Sequence, residues 1–180
     1  MQEIDTQAIV LARYPSGEKS DLIMLYTKEL GLVRAVARSS RDLKSKLSAH
    51  LEPLNLSTIR LVKKNQFTIT DALAQKNYRR LIQSSNLSPE EKLQRLRELL
   101  GIFRLIGEIA AEEQPDNELW ALLEAGKVFS KSILKVLGLD PDHATCDKCE
   151  ATRPAHFLIN EGYYLCQKCF YPTADRIVIK

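Results

Sequence analysis

Residues 54–73 have the sequence LNLSTIRLVKKNQFTITDAL, which is the pattern of a β-hairpin. Two stretches rich in β-branched and apolar residues, 54–62 and 67–73, flank the polar tetrapeptide Lys63-Lys64-Asn65-Gln66, which is typical of a turn. The sequence therefore predicts two antiparallel strands in this part of the chain.

Three further strands are predicted before this hairpin, over residues 4–14, 20–28 and 32–38. Turn-forming residues separate them, including Gly17 and Gly31. Five short strands, with a longer connection between the third and the fourth, fit a barrel of the oligonucleotide- and oligosaccharide-binding (OB) type. We therefore predict an OB-fold domain over residues 1–80, although another small antiparallel sheet would give the same pattern.

After this region the spacing of apolar residues becomes helical, so the predicted fold class is α+β. Ser88-Pro89-Glu90-Glu91 starts a helix, because Ser88 can act as N-cap, proline suits the first helical position and Glu91 closes a capping box. Two apolar runs then recur at helical spacing, separated by a polar break. The runs cover residues 93–110 and 119–137, the second ending at Gly138, and both belong to a helical region over residues 81–142.

Four cysteines form two Cys-x-x-Cys motifs, Cys146 with Cys149 and, after sixteen residues, Cys166 with Cys169. This spacing is typical of a zinc site in which two turns and a connecting hairpin bring four thiolates to one ion. The intervening residues favour a hairpin, since apolar stretches flank a polar turn at 160–162. We predict a zinc-ribbon-like module over residues 143–180, with a closing strand at 176–179.

Other uses of the cysteines compete with zinc. Two disulfides need an oxidising compartment, and the N-terminal residues lack a signal-peptide pattern. A redox-active site is expected to have a single Cys-x-x-Cys motif in a βαβ context, and this sequence does not show that arrangement. A four-sulfur iron site has the same ligands as the zinc site, and this alternative stays open.

The predicted metal is structural, because four thiolates leave no coordination position for a reacting water. His143 and His156 lie near the motifs and could support the ligands, although histidines more often occupy the surface. The sequence contains no phosphate-binding loop, nucleophile elbow or metalloprotease helix. We therefore predict that the protein is not an enzyme.

The composition indicates the class of protein, and the distribution of charge indicates where a charged partner would bind. Hydrophobic residues make up 44% and charged residues 27% of the chain, which is ordinary for a soluble globular protein, and we expect it to be cytoplasmic. Residues 1–87 carry 14 Lys and Arg against 8 Asp and Glu, whereas residues 88–142 carry 7 against 11. A polyanion would therefore bind the N-terminal third.

A basic loop lies between the third and fourth predicted strands. Cations and serine hydroxyls alternate there, a mixture that suits phosphate groups, and loops beside an OB barrel grip oligonucleotides. A merely solvated loop is the alternative. The candidate DNA-binding residues are Arg34, Arg38, Arg41, Lys44 and Lys46, with Lys63 and Lys64 as an extension.

Three stretches of this sequence resemble the RecO family of bacterial recombination and repair mediators. The first two are similar to the family's first hairpin and to its basic loop, and the third to its last core helix and zinc module. They comprise, in order, Ala8-Ile9-Val10-Leu11 with Gly17-Glu18 and Thr27-Lys28-Glu29-Leu30-Gly31; Ala37-Arg38-Ser39-Ser40-Arg41 with Leu51-Glu52-Pro53-Leu54; and Leu137-Gly138-Leu139-Asp140-Pro141 with the four cysteines.

The resemblance implies an OB fold, a helical middle and a bound zinc ion. It also implies binding to single- and double-stranded DNA, strand annealing and recombinase loading, with RecR and single-strand-binding protein as partners. The sequence departs from the family in its shorter helical region, so we carry over no contact residues for single-strand-binding protein. Ser39-Ser40 also replaces a pair that often contains glycine.

Two functions follow from these observations. The favoured one is a DNA-binding mediator of recombination in DNA repair, which anneals strands and assists recombinase loading onto single-stranded DNA through the basic loop. The alternative is a zinc-ribbon adaptor that binds proteins and does not contact DNA.

Overall fold

The computed structural model describes residues 2–42, 45–172 and 176–179 and confirms the α+β class. In the described residues five strands come first, with a short 3-10 helix (Ser48–Leu51) between the third and the fourth; four α-helices and then three short strands follow. The long strands are β1 (Gln2–Ser16), β2 (Ser20–Thr27), β3 (Gly31–Ala37), β4 (Asn55–Lys63) and β5 (Phe67–Asn77). The helices are α1 (Tyr78–Gln83), α2 (Pro89–Ile109), α3 (Asn117–Glu124) and α4 (Ser130–Val136). The short strands are β6 (His156–Leu158), β7 (Tyr163–Leu165) and β8 (Arg176–Val178).

The five long strands form a closed barrel in the order β1-β2-β3-β5-β4. β1 closes it because this strand is long enough to pair with two neighbours. Residues 2–9 pair with β4 and residues 8–16 with β2, with a bulge between Val10 and Ala12. The predicted β4–β5 hairpin is confirmed, and β5 also pairs in parallel with β3. Small and branched side chains such as Ala35, Ile59 and Leu61 fill the interior.

The turn between β2 and β3 explains the spacing of Thr27 and Gly31. The Thr27 hydroxyl donates to the carbonyl oxygen of Gly31 at 3.1 Å and accepts from the backbone N–H of Leu30 at 3.0 Å. Gly31 has φ +67°, and a Cβ there would overlap the backbone of Gln114. Glycine is therefore required where the segment after α2 lies against the barrel.

The long helix α2 begins where the sequence predicts it, whereas the later helices differ from the prediction. Both hydrogen bonds of the predicted capping box, between Ser88 and Glu91, are present. The prediction of one run over residues 119–137 was wrong, because α3 and α4 are separate helices. Gly126 adopts φ +72° after α3, and the N–H of Lys127 bonds back to the carbonyl oxygen of Leu122 at 2.9 Å. This hydrogen bond is typical of a glycine-terminated helix.

One apolar core joins the barrel exterior, the helices and the C-terminal sheet. Its buried members include Ile9 of β1, Phe103 of α2, Trp120 of α3 and Phe157 of β6. α2 lies close to the barrel, since a Cβ added at Gly107 would collide with the side chain of Met24. No helix in the described part of the chain is long and apolar enough to cross a membrane.

Candidate functional site

The fold brings the four predicted metal ligands together. The sulfur atoms of Cys146, Cys149, Cys166 and Cys169 all lie within 4.8 Å of one another, and 3.7 Å separates Cys149 from Cys166. Zinc–sulfur bonds of about 2.3 Å in a tetrahedron place sulfur atoms roughly 3.8 Å apart, whereas a disulfide needs about 2 Å. The cysteines are free thiols whose arrangement could hold one metal ion.

Local hydrogen bonds build the two cysteine turns. In the first, the N–H of Glu150 donates to the carbonyl oxygen of Cys146 at 2.7 Å; in the second, the N–H of Phe170 donates to that of Cys166 at 3.0 Å. Asp147 ties the first turn to β7, because its carboxylate accepts from the backbone N–H of Tyr164 at 2.7 Å. The predicted hairpin is confirmed as β6–β7, and β8 pairs with β6 as the closing strand.

The electrostatics of the cluster favour a cation. Backbone N–H donors, led by that of Cys166, lower the pKa of Cys146 to about 6. The N–H of Cys169 similarly lowers the pKa of Cys166. In contrast, hydrogen bonding to Cys149 and Cys166 and the negative charge of Cys146 raise the pKa of Cys169 to about 12. Four adjacent thiolates repel one another, so full deprotonation requires a metal dication among them. The donor set therefore fits a metal.

The two nearby histidines differ in role. His143 is exposed and pairs with Asp140 at 3.2 Å. His156 is buried, so the expectation of a surface position was wrong for this residue. Its ring stacks on Phe170 at 4.0 Å, and its Nε2 lies 3.0 Å from the amide oxygen of Gln167. His156 therefore packs β6 against the second cysteine turn.

The basic loop covers residues 38–47, and its described residue Arg41 lies against the turn that joins β1 to β2. The backbone N–H of Arg41 donates to the carbonyl oxygen of Lys19 at 3.1 Å. The guanidinium of Arg41 donates to the carbonyl oxygen of Gly17 at 3.2 Å. Arg38 and Lys46 are exposed. Lys44 lies outside the described residues.

Two predicted cations already have acidic partners. Arg34 on β3 forms an ion pair with Glu112, and Lys63 at the end of β4 pairs with Glu113. Both acids lie just after α2, where the N–H of Glu113 bonds to the carbonyl oxygen of Leu32 at 3.0 Å. The positive charge of Arg34 and Lys63 is thus partly neutralised, whereas Arg38 has no such ion pair among the described residues.

A network of charged side chains, which the sequence analysis missed, holds the start of the basic loop through a hydrogen bond to Ser40. Asp21 is 2% exposed and accepts hydrogen bonds from the hydroxyl of Ser40 at 2.7 Å and from Nε of Arg13 at 2.9 Å. Arg13 also forms an ion pair with the carboxylate of Glu52, with Nη1 and Oε1 2.8 Å apart. The available signal was a pair of opposite charges, Arg13 and Asp21, each next to an apolar stretch, 8–12 and 22–25 respectively.

Ser39 shows why glycine also suits this loop. Its φ is +51°, a left-handed conformation that glycine adopts without steric cost. The neighbouring Ser40 is fully buried and donates to Asp21. The pair Ser39-Ser40 therefore forms a tight turn at the start of the basic loop.

Comparison with known proteins gives one consistent family. The family described as "Recombination protein O N terminal" matches residues 1–76. DNA repair protein RecO of Thermodesulfovibrio yellowstonii is 28% identical, over 91% of this chain and 69% of the relative. The RecO proteins of Alkaliphilus metalliredigens and Myxococcus xanthus are 24% and 27% identical, over 92% and 99% of this chain and 72% and 78% of theirs.

Proposed function

Because this chain belongs to the RecO family, we propose that it is a DNA-binding mediator of recombination. A role in DNA repair and recombination follows from the family. The finer proposal is that it anneals complementary strands and assists recombinase loading onto single-stranded DNA. It acts by binding and not by catalysis, with RecR and single-strand-binding protein as proposed partners.

The observation that carries this proposal is the anchored basic loop at one end of the barrel. Arg38 and Lys46 are exposed, and Arg41 is held by two hydrogen bonds to the β1–β2 turn. We propose that the barrel is an OB fold, a fold in which loops of this kind grip oligonucleotides. Cations on a fixed backbone suit phosphates, because less side-chain and loop freedom is lost on binding.

The proposed DNA-binding residues are expected to contribute unequally to the affinity for DNA. Arg38 and Arg41 are proposed as the main phosphate contacts, and Lys44 and Lys46 as additional ones. Arg34 contributes less, because Glu112 competes for its guanidinium. Binding phosphates on two strands at once would reduce their mutual repulsion, which is the physical step that annealing needs.

The proposed division of the chain places DNA binding in residues 1–80 and the metal in residues 143–180, with the helical residues 81–142 between them. We propose zinc as the metal, since four thiolates in this geometry suit it. Its four ligands are Cys146, Cys149, Cys166 and Cys169, and its role is structural. Four free thiols and a DNA substrate are consistent with the reducing cytoplasm as the site of action.

The test replaces Arg38 and Arg41 together by alanine and measures the affinity for labelled oligonucleotides across a salt series. We expect weaker binding to unrelated sequences alike, because phosphate contacts carry no sequence information. The slope of log K against log[salt] for single strands should flatten by about 1.4, at ~0.7 per lost phosphate contact.

The matched control replaces Arg97 and Lys127, two exposed cations of the acidic helical region. This variant removes the same charge and should bind DNA almost as the parent does. If the control loses as much affinity as the Arg38/Arg41 variant, the proposed surface is wrong. If the parent protein does not bind DNA at all, the alternative of a protein-binding zinc adaptor is favoured.

A further inference from the structure

The outer surface of the barrel carries an exposed aromatic residue next to the basic loop. Tyr14 on β1 pairs in register with Leu22 on β2, and Leu22 pairs with Val36 on β3. The Tyr14 side chain is 49% exposed, and Leu22 and Val36 are half-buried. An aromatic ring and two aliphatic side chains thus form one row across three strands.

This row lies on the same outer face as the proposed phosphate contacts. Side chains alternate along β3, so Arg34 and Val36 point outwards while Ala35 and Ala37 fill the barrel interior. Arg38, in the turn that follows β3, is exposed. Adjacent strands lie about 4.8 Å apart, which places the backbone of Tyr14 roughly 10 Å from that of Val36. Arg38 follows Val36 by two residues, and Arg41 bonds to Gly17, three residues after Tyr14.

Tyr14 differs from the other exposed aromatic side chains of the described chain. Phe129 lies under the guanidinium of Arg95 at 5.0 Å, and the hydroxyl of Tyr171 bonds to that of Tyr163 at 3.1 Å. The side chain of Tyr14 makes no hydrogen bond and no ring contact with the described residues. Hydrogen bonds and contacts with other rings among the described residues therefore do not explain an aromatic residue at this position.

We propose that Tyr14 is a base-stacking residue and makes the surface selective for single-stranded DNA. This inference rests on the proposed function. The ring and its aliphatic neighbours receive an unstacked base, while Arg38 and Arg41 hold the adjoining phosphates. Phosphates are accessible in single strands and duplexes alike, but the face of a base is free only in a single strand. Stacking on an aromatic ring tolerates any base, so this selectivity requires no preferred sequence.

The surrounding charge supports a nucleic acid as the ligand of this surface. The row is bordered by the proposed contacts Arg38 and Arg41 and by exposed Lys19. Nearby acids are partly engaged: Asp42 lies 3.4 Å from Lys19, and Asp21 is buried against Arg13. Glu18, in the turn, is exposed. Cations beside an exposed ring form the combination found in single-strand binding sites.

The experiment compares Tyr14→Ala, Tyr14→Phe and Leu73→Ala for binding to an oligothymidylate and to a blunt duplex of equal length. Leu73 is 62% exposed on β5 and provides an apolar control elsewhere on the barrel. We expect Tyr14→Ala to weaken single-strand binding about 5- to 150-fold, the range for loss of one stacked base. Duplex affinity and the salt slope should change little, because no phosphate contact is lost. Tyr14→Phe and Leu73→Ala should bind both DNAs as the parent does.

A second measurement reports stacking directly. With Tyr14→Trp, oligothymidylate should quench the additional indole emission, and an inorganic polyphosphate should leave it unchanged. Equal weakening of single-strand and duplex binding by Tyr14→Ala, or no weakening, would overturn the stacking role. The Arg38/Arg41 double variant separates this failure from failure of the proposed function, because it should weaken binding to both DNAs whether or not Tyr14 stacks.

Discussion

Asp21, a buried carboxylate, connects the start of the basic loop to the barrel. It accepts from Ser40 in the loop, and its partner Arg13 also pairs with Glu52, in the segment that follows the loop. Burying a charge is unfavourable unless it is paired and hydrogen-bonded. The two partners of Asp21 meet this requirement, so the loop's position is coupled to barrel stability.

We expect Asp21→Ala to lower the free energy of unfolding by about 3–5 kcal/mol, the usual effect of removing one partner from a buried ion pair. Asp5→Ala is the matched control, because Asp5 pairs with Arg60 at 2.8 Å on the exposed barrel surface. Such surface pairs contribute little to stability. Urea denaturation of both variants measures the difference, and equal losses would contradict a special role for Asp21.

At the scale of single elements, the C-terminal module has a very small core of its own. Leu158, Leu165 and the buried Cys146 and Cys166 make up its cluster of buried residues. Alternate residues of β6 and β7, such as Phe157 and Tyr164, instead join the core shared with the helices. A bound metal would therefore replace the missing apolar core as the main support of the two cysteine turns.

We expect Cys149→Ser to release the metal and unfold the cysteine turns with β6 and β7, while the barrel remains folded. The effect should be large, because structural zinc contributes about 10–16 kcal/mol of apparent binding free energy in small sites. Lys148→Ser, at an exposed position of the same turn, is the control and should keep the metal. Elemental analysis and hydrogen exchange of the β6–β7 amides measure both effects. Parent protein purified without zinc or iron would refute the metal site.

At the scale of the whole molecule, the acidic helical region touches the basic barrel at a defined place. Glu112 and Glu113 follow α2 and pair with Arg34 and Lys63. Gly31 permits the close approach, because a side chain there would overlap the backbone of Gln114. The two acids therefore compete with DNA phosphates for cations on the barrel.

We expect Glu112→Gln combined with Glu113→Gln to strengthen DNA binding and to steepen the single-strand salt slope by up to about 1.4, since up to two cations become available at ~0.7 each. Glu108→Gln combined with Glu118→Gln changes the net charge equally at exposed positions. Fluorescence anisotropy across a salt series compares the variants. An equal gain in the control would mean that only net charge matters, and the local competition would be refuted.

Features with a short-range chemical cause were predictable from the sequence alone. Alternation of apolar residues predicted the strands, and Ser88 with Glu91 predicted the start of α2 because a capping box involves only neighbouring residues. The cysteine spacing predicted the cluster, since two short turns and a hairpin suffice to bring four sulfur atoms together.

Tertiary structure alone decided which distant groups meet. The parallel pairing of β3 with β5, the burial of Asp21 against Arg13 and the pairing of Arg34 with Glu112 join residues far apart in the chain or across a turn. Periodicity reports that one face of an element is buried but not which partner covers it. For the same reason, the exposure of Tyr14 beside the basic loop became visible only once the strands were in register.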